Sequence, residues 1–192
     1  MASVAKELLG ELQLGLRVEV VDIADWRPLL HDMEALARSR WKLSDDAFAL
    51  RFSHADVLDT YAGVDFASAD LVTLFFTTNE LFAASKPKTL ALLSHLGAAC
   101  KPGALLCVAE SAGSYSEITL GDKTYPLDLI LDQTLAARGK PWRIAEKSQS
   151  RWYRVPEETR SRYKLQLENT HMMVRVYQKR VPEKVSPIAD ST

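Results

Sequence analysis

Two uninterrupted apolar runs, residues 71–76 (LVTLFF) and 104–109 (ALLCVA), limit what this chain can fold into more than any other feature. A strand with one wet face alternates apolar and polar residues. A run that is apolar at nearly every position is expected of a strand covered on both faces. Between the runs, helical spacing starts near Asn79 and is interrupted before Pro87. Ser85 can cap its continuation and Gly97 can end it. Strand, helix, strand with both strands buried implies a parallel α/β sheet with helices on both faces.

The rest of the chain keeps the alternation. Residues 17–21 (RVEVV) and 49–53 read as short strands, and the helix between them can be capped by Asp25, carries Pro28 in its first turn and runs to about Arg38. Residues 2–14 read as a helix with Val4, Leu8 and Leu12 on one face and Gly15 at its end. Lys101, Pro102 and Gly103 form a turn, and Ser114 and Glu117 have capping-box spacing for a short helix or turn. Pro126 opens a helix with Leu127, Ile130, Leu131 and Leu135 inward, closed by Gly139. Residues 142–145 and 171–177 read as the last two strands, a hairpin-like pair with a long insertion. Residues 181–192 hold two prolines and no periodicity and read as a disordered tail, which leaves 1–180 as one domain.

Composition narrows the function classes. No apolar run reaches the roughly 18–20 residues that span a bilayer, and residues 1–10 show no signal-peptide pattern. Cys100 and Cys107 read as buried, reduced core residues, which points to an intracellular compartment, nucleus, nucleolus or cytoplasm. His31, His54, His95 and His171 stand at no metal-ligand spacing, so no metal is expected. The net charge of −1 conceals an asymmetry. Residues 1–137 carry 11 Lys/Arg against 19 Asp/Glu, whereas residues 138–184 carry 13 against 5. The basic part is either an unevenly charged solvated surface or a face for a polyanion.

Open α/β sheets bind ligands at the carboxyl ends of their strands. Asp22 follows the first strand and can accept the hydroxyls of a ribose, or simply start the next turn. Asp56 follows the second and can take an adenine amino proton, or serve as a loop aspartate. Thr77, Thr78, Asn79 and Glu80 follow the run 71–76, as substrate contacts, as a helix cap and first turn, or both. Residues 110–117 (ESAGSYSE) follow the run 104–109 as a substrate-wrapping loop or a plain turn.

Taken together, VDIADW, DLVTLFFTTNELF, ESAGSYSE, YPLDLILDQTL, RWYR and LENTHMMVRVYQKR resemble the fungal S-adenosylmethionine (SAM) dependent methyltransferases that modify N3 of a uridine in large-subunit ribosomal RNA. The resemblance runs over about residues 1–180, and TTNELF and SAGSYSE carry most of it. It implies a Rossmann-like class I methyltransferase fold with SAM as cofactor and RNA as partner. It implies that Asp22 holds the SAM ribose and Asp56 the adenine, with Val57 and Thr77 completing the cofactor contacts. Asn79 and Glu80 would line the place where methyl donor and base meet, Glu80 as base or positioning group and Asn79 on a uracil carbonyl. Ser114 and Tyr115 would meet the substrate, Tyr115 stacking on a base taken out of its helix, or standing as a surface aromatic. Arg151 and Arg154, with Arg138, Arg143, Lys147, Arg160, Arg162 and Lys164, would meet RNA phosphates.

One departure stands out. In this superfamily a strand and a glycine-rich loop precede the ribose Asp, and no G-x-G-x-G precedes Asp22 here. In the superfamily strand order 3-2-1-4-5-7-6 that strand is central, so its loss leaves two sheet pieces with unpaired inner edges. Unsatisfied backbone groups cost about 1–3 kcal/mol each, against a domain stability of about 5–15 kcal/mol. The sequence is therefore expected to be a fragment. The alternative is a short protein that closes the gap by shifting strands or by pairing with a partner or itself. Two other functions stay open: a non-catalytic RNA- or protein-binding derivative, and a methyltransferase for a small molecule or protein.

Overall fold

The computed structural model describes residues 15–59, 61, 63–113 and 116–182. They fall into two compact units, one within Met1–Val64 and the other within Asp65–Thr192. The readings made for residues 2–14, for Ser114 and Tyr115, and for 183–192 lie outside the described residues.

The first unit is a strand–helix–strand crossover. Strand β1 (Leu16–Asp22) pairs in parallel with β2 (Phe48–His54), from Leu16 opposite Phe48 to Asp22 opposite His54. Helix α1 (Arg27–Trp41) joins them, with Pro28 in its first turn. Trp26, rather than Asp25, occupies the cap position, while Asp25 Oδ1 accepts the Arg27 N–H at 3.1 Å. The helix also outruns the expected end at Arg38. Arg38 is held inside the structure by Glu34 at 2.8 Å and by the Phe48 carbonyl at 2.6 Å. Lys42, in the left-handed region at φ 51°, turns the chain out and returns its N–H to the Arg38 carbonyl.

The second unit holds a four-stranded sheet in the order β3-β4-β8-β7. Strand β3 (Leu71–Phe75) and β4 (Leu105–Ser111) run parallel, and β8 (Thr170–Lys179) lies antiparallel to both β4 and β7 (Trp142–Tyr153). Helices α2 (Thr78–Ala84) and α3 (Lys86–Ala99) connect β3 to β4, broken at Ser85. Ser85 caps α3, accepting the Lys88 N–H, ahead of Pro87. Helix α4 (Leu127–Leu135) follows Pro126 and buries Leu127, Ile130, Leu131 and Leu135, the residues its spacing placed inward. The short α5 (Glu157–Arg160) lies in the insertion between β7 and β8.

Parallel strand pairs joined by helical crossovers, with an antiparallel last strand in the larger sheet, make this a Rossmann-like α/β architecture. Among the described residues β1-β2 and β3-β4-β8-β7 are separate sheets, and no strand pairs with the outer edge of β3.

Several expectations are corrected. The run 71–76 is not covered on both faces: Leu71, Phe75 and Phe76 are 54%, 49% and 42% exposed. Alternation in an edge strand explains this, since Val72 and Leu74 share the face of buried Leu106 and Val108 while Leu71, Thr73 and Phe75 point the other way. Cys107, opposite Thr73, lies on that second face and is half-buried, whereas Cys100 is buried; both thiols are free. Residues 117–126, for which the sequence suggested no strand, form a hairpin, β5 (Glu117–Leu120) with β6 (Lys123–Pro126). Its two-residue turn opens on Gly121 at φ 61°. Gly139 does not close α4, which ends at Leu135, but turns the chain at φ 80° toward Pro141.

Gly97 does not end α3 either; it is buried inside it. A Cβ there would meet Pro141 Cγ at 2.8 Å and Trp142 Nε1 at 3.5 Å. The glycine lets the helix approach the start of β7. Gly97→Ala is expected to destabilise the protein by about 1–3 kcal/mol by overpacking, despite alanine's helix propensity. Urea unfolding reads the change, and a stabilised variant would contradict the close approach.

Candidate active site

In the first unit, Asp22 ends β1 and Asp56 lies two residues beyond β2, so parallel pairing sets both at the carboxyl end of one sheet. Each carboxylate uses Oδ1 to fix its own turn. Asp22 Oδ1 accepts the Ala24 N–H at 2.7 Å, and Asp56 Oδ1 accepts the Leu58 N–H at 2.8 Å. The Ala55 N–H to Asp22 carbonyl bond at 3.0 Å ties the two strand ends together. Val57 is half-buried beside buried Leu58. Turn-forming and ligand-binding readings of these aspartates are compatible, because each keeps Oδ2.

In the second unit the carboxyl ends of β3 and β4 meet in a polar knot. Phe76 leaves β3 in the left-handed region at φ 55°, its N–H bonded to the Ala109 carbonyl at 2.7 Å. For a bulky L-residue this conformation costs about 1–2 kcal/mol, and it turns the chain so that α2 starts over β4. The side chain at the centre of the knot is Glu110, 2% exposed. Its Oε1 accepts the Thr78 N–H at 2.5 Å and the Asn79 N–H at 3.2 Å. Its Oε2 accepts Asn79 Nδ2 at 3.1 Å. Asn79 Nδ2 also donates to Ser116 Oγ at 3.0 Å, and Ser116 Oγ donates to the Ser111 carbonyl at 2.5 Å. Glu110 thus does from 31 residues away what a cap residue does locally: it satisfies the first N–H groups of a helix.

Desolvation pushes the Glu110 carboxyl above its ordinary value of 4.5, opposed by the N–H groups of Asn79 and Thr78. Both Asn79 amide hydrogens are engaged, so a contact from that amide to a uracil carbonyl would have to displace one of them. Thr77 Oγ1 donates to the Phe75 carbonyl at 3.0 Å, and Glu80 stands exposed in the first turn of α2. Thr77, Asn79 and Glu80 therefore stand together at one sheet edge, with Asn79 fixed by a buried carboxylate.

Arg151 and Arg154 lie farther along the same sheet. Antiparallel pairing of β7 with β8 brings the end of β7 to the edge where β4 ends: Ser111 pairs with Met172, Arg151 with Met172, and Trp152 with His171. Arg151 pairs with Glu146 at 2.9 Å with both side chains 56% exposed, so the contact is largely screened. Arg154, Arg162 and Lys164 are exposed, while Arg160 Nη2 donates to Asn169 Oδ1 at 2.7 Å and Arg143 donates to Gln178.

Two features here are not legible in the sequence: Glu110 has the look of a loop's first residue, and β7 runs to Tyr153, well past the expected end at residue 145, which carries Trp152 into the strand. A lone acidic residue closing an otherwise apolar strand was the available signal for the first. For Trp152 it was the alternation of RWYR. Among the described residues, no group of acidic, His and Cys side chains forms a metal site and no helix is long and apolar enough to cross a membrane.

Residues 1–178 match the model of a SAM-dependent methyltransferase family. The chain is 35% identical over 176 residues to the 25S rRNA (uridine(2843)-N(3))-methyltransferase of Saccharomyces cerevisiae, an alignment covering 85% of this chain and 48% of that protein. The chain thus spans about half the length of this curated relative. Solved SAM-dependent methyltransferases from Methanosarcina mazei and Clostridium acetobutylicum share the fold at TM-scores of 0.51 and 0.51, each at 11% identity. The first covers 94% of this chain and 86% of its own, the second 93% and 80%.

Proposed function

The chain belongs to the SAM-dependent methyltransferases, and from that premise we propose that it serves methylation at N3 of a uridine in large-subunit ribosomal RNA. The observation that carries this reading is the 35% identity to a yeast protein whose name states that reaction. SAM, when bound, supplies an electrophilic sulfonium methyl. A neutral imide nitrogen is a poor nucleophile, so transfer to N3 would need a group on this chain to accept the N3 proton.

Asp22 and Asp56 fit the nucleoside end of SAM: they are acceptors at the ends of adjacent parallel strands, each with Oδ2 left for a ligand. Val57, half-buried next to Asp56, would offer the adenine an apolar contact. Glu80 takes the N3 proton or positions the base. Asn79 would orient the uracil by exchanging one of its amide contacts, to Glu110 or to Ser116, for a uracil carbonyl, and Ser114 and Tyr115 would meet the base as the family resemblance implies.

The test is incubation with labelled SAM and large-subunit RNA lacking the modification, followed by nucleoside analysis. The expected product is 3-methyluridine. A different methylated nucleoside, or methyl transfer only to protein or small molecules, would overturn the reading. RNA binding without a calorimetric SAM signal would support a binding role instead.

The RNA part has its own check. Reversing charge at Arg151→Glu and Arg154→Glu is expected to weaken RNA binding. It should also flatten the dependence of log affinity on log salt by roughly 1.4–1.8, the share of two phosphate contacts. An unchanged slope would remove both residues from the RNA face.

A further inference from the structure

Trp152 and His171 sit directly opposite each other in the β7–β8 ladder. Their rings stack at 4.6 Å between centroids with planes 13° apart. The His171 ring is further fixed by a hydrogen bond between its Nε2 and Ser150 Oγ, two residues before Trp152. Two register shifts in the β7–β8 ladder, at Ile144/Glu146 and Ser148/Arg151, re-aim the end of β7. Despite this orientation, Trp152 remains 57% exposed, one side of its indole against His171 and the rest open. A large indole held rigid and left wet is poorly explained as core. Flanked by Arg151 and exposed Arg154, it has the composition of a surface for nucleic acid: a π-face for a base among cations for phosphates.

Its place in the sheet strengthens the point. Glu110 pairs with Met173, and His171 lies two residues from Met173 on the same face. The stack therefore shares a sheet face and a carboxyl edge with the Glu110–Asn79 knot. Trp152 stands two strand spacings across and two residues along from Glu110, roughly 12 Å, a gap that a short stretch of single strand can bridge.

We propose that the Trp152–His171 stack is a binding platform for one unpaired RNA base, a near neighbour of the base presented at Asn79 and Glu80. The inference rests on the RNA reading above. The platform reads no sequence, because every base has a π-face. It selects for single strand over duplex, whose bases are already stacked.

The test measures binding of the full chain to a single-stranded oligouridylate of about ten nucleotides and to a duplex of equal length. Trp152→Ala is expected to weaken single-strand binding on the order of 10-fold, within the range of about 5- to 150-fold that loss of one base–aromatic stack produces. Its salt slope and its duplex affinity should remain unchanged, and Trp152→Phe should restore most of the single-strand affinity. In the wild type, oligouridylate should quench indole fluorescence, and Trp152→Ala should abolish that quenching. Equal affinity of wild type and Trp152→Ala would overturn the platform and leave the RNA reading standing. So would equal losses on single strand and duplex. A wild-type chain that binds neither RNA would overturn both.

Discussion

Glu110→Ala is expected to lower the rate of methyl transfer on the order of 100-fold, the scale of a small misplacement of reacting groups, while leaving affinity for RNA nearly unchanged. Glu110 holds Asn79 by backbone and side chain at once, so its loss frees the start of α2 and with it Glu80. Single-turnover transfer with saturating RNA separates this from a binding defect. A rate within two-fold of wild type would show that the knot does not position the site.

Glu110→Gln sharpens the test. Its carbonyl can still accept the Thr78 and Asn79 N–H groups, but its amide would face Asn79 Nδ2 donor to donor, so Asn79 must turn over. The rate should fall although the helix start stays capped. The variants also differ in pH dependence. Because burial raises the native pKa of Glu110, the folded state binds more protons than the unfolded state between 4.5 and that raised value. Wild-type stability therefore falls as pH rises through this window, and Glu110→Gln removes that contribution. Parallel stability curves for the two proteins would contradict the assignment.

Arg175→Met should have the largest effect on stability, a loss of about 3–5 kcal/mol. Arg175 is buried on β8, its Nη2 2.5 Å from Asp128 Oδ2 and its Nε 3.4 Å from Asp132 Oδ1. Asp132 also accepts the hydroxyl of buried Tyr177 at 2.6 Å. Burial, and then that bond to Asp132, drive the Tyr177 pKa far above its ordinary value and keep it a donor. Without the guanidinium, two carboxylates one helical turn apart on α4 face the sheet uncompensated. The melting temperature should drop by roughly 6–20 °C for a chain of this size. Adding Asp128→Asn and Asp132→Asn should recover most of it, since the neutral amide still accepts from Tyr177. If the triple variant melts as low as Arg175→Met, lost packing rather than stranded charge is the cause.

What the sequence disclosed follows from the range of the physics involved. Elements governed by local patterns were legible: the apolar runs of β3 and β4, the Ser85 break before Pro87, the inward leucines of α4, the basic segment after residue 137. Features that depend on register were not. Glu110 acts on residues 31 and 32 positions away, and Trp152 meets His171 only after two shifts of pairing. Gly97 has the composition of a helix terminator and the position of a packing contact, which no window of sequence distinguishes. The hairpin at 117–126 has strands of only four residues each, too short for a clear alternation, and Gly121-Asp122 alone marks its turn. The turn-forming readings of Asp22 and Asp56 were local and hold, each Oδ1 accepting an N–H two residues on, whereas the carboxylate that fixes Asn79 acts across 31 residues.

The left-handed Phe76 carries one more consequence. A glycine at this position would relax the backbone, and an asparagine nearly so. Either would also drop the aromatic side chain and widen the range of angles at which the chain leaves β3, just where Thr78 and Asn79 must meet Glu110. Conformational ease and fidelity of the site are thus opposed at a single residue. A residue held in the left-handed region stands next to the hydrogen-bonded start of α2, and robustness trades against accuracy of the site in one turn.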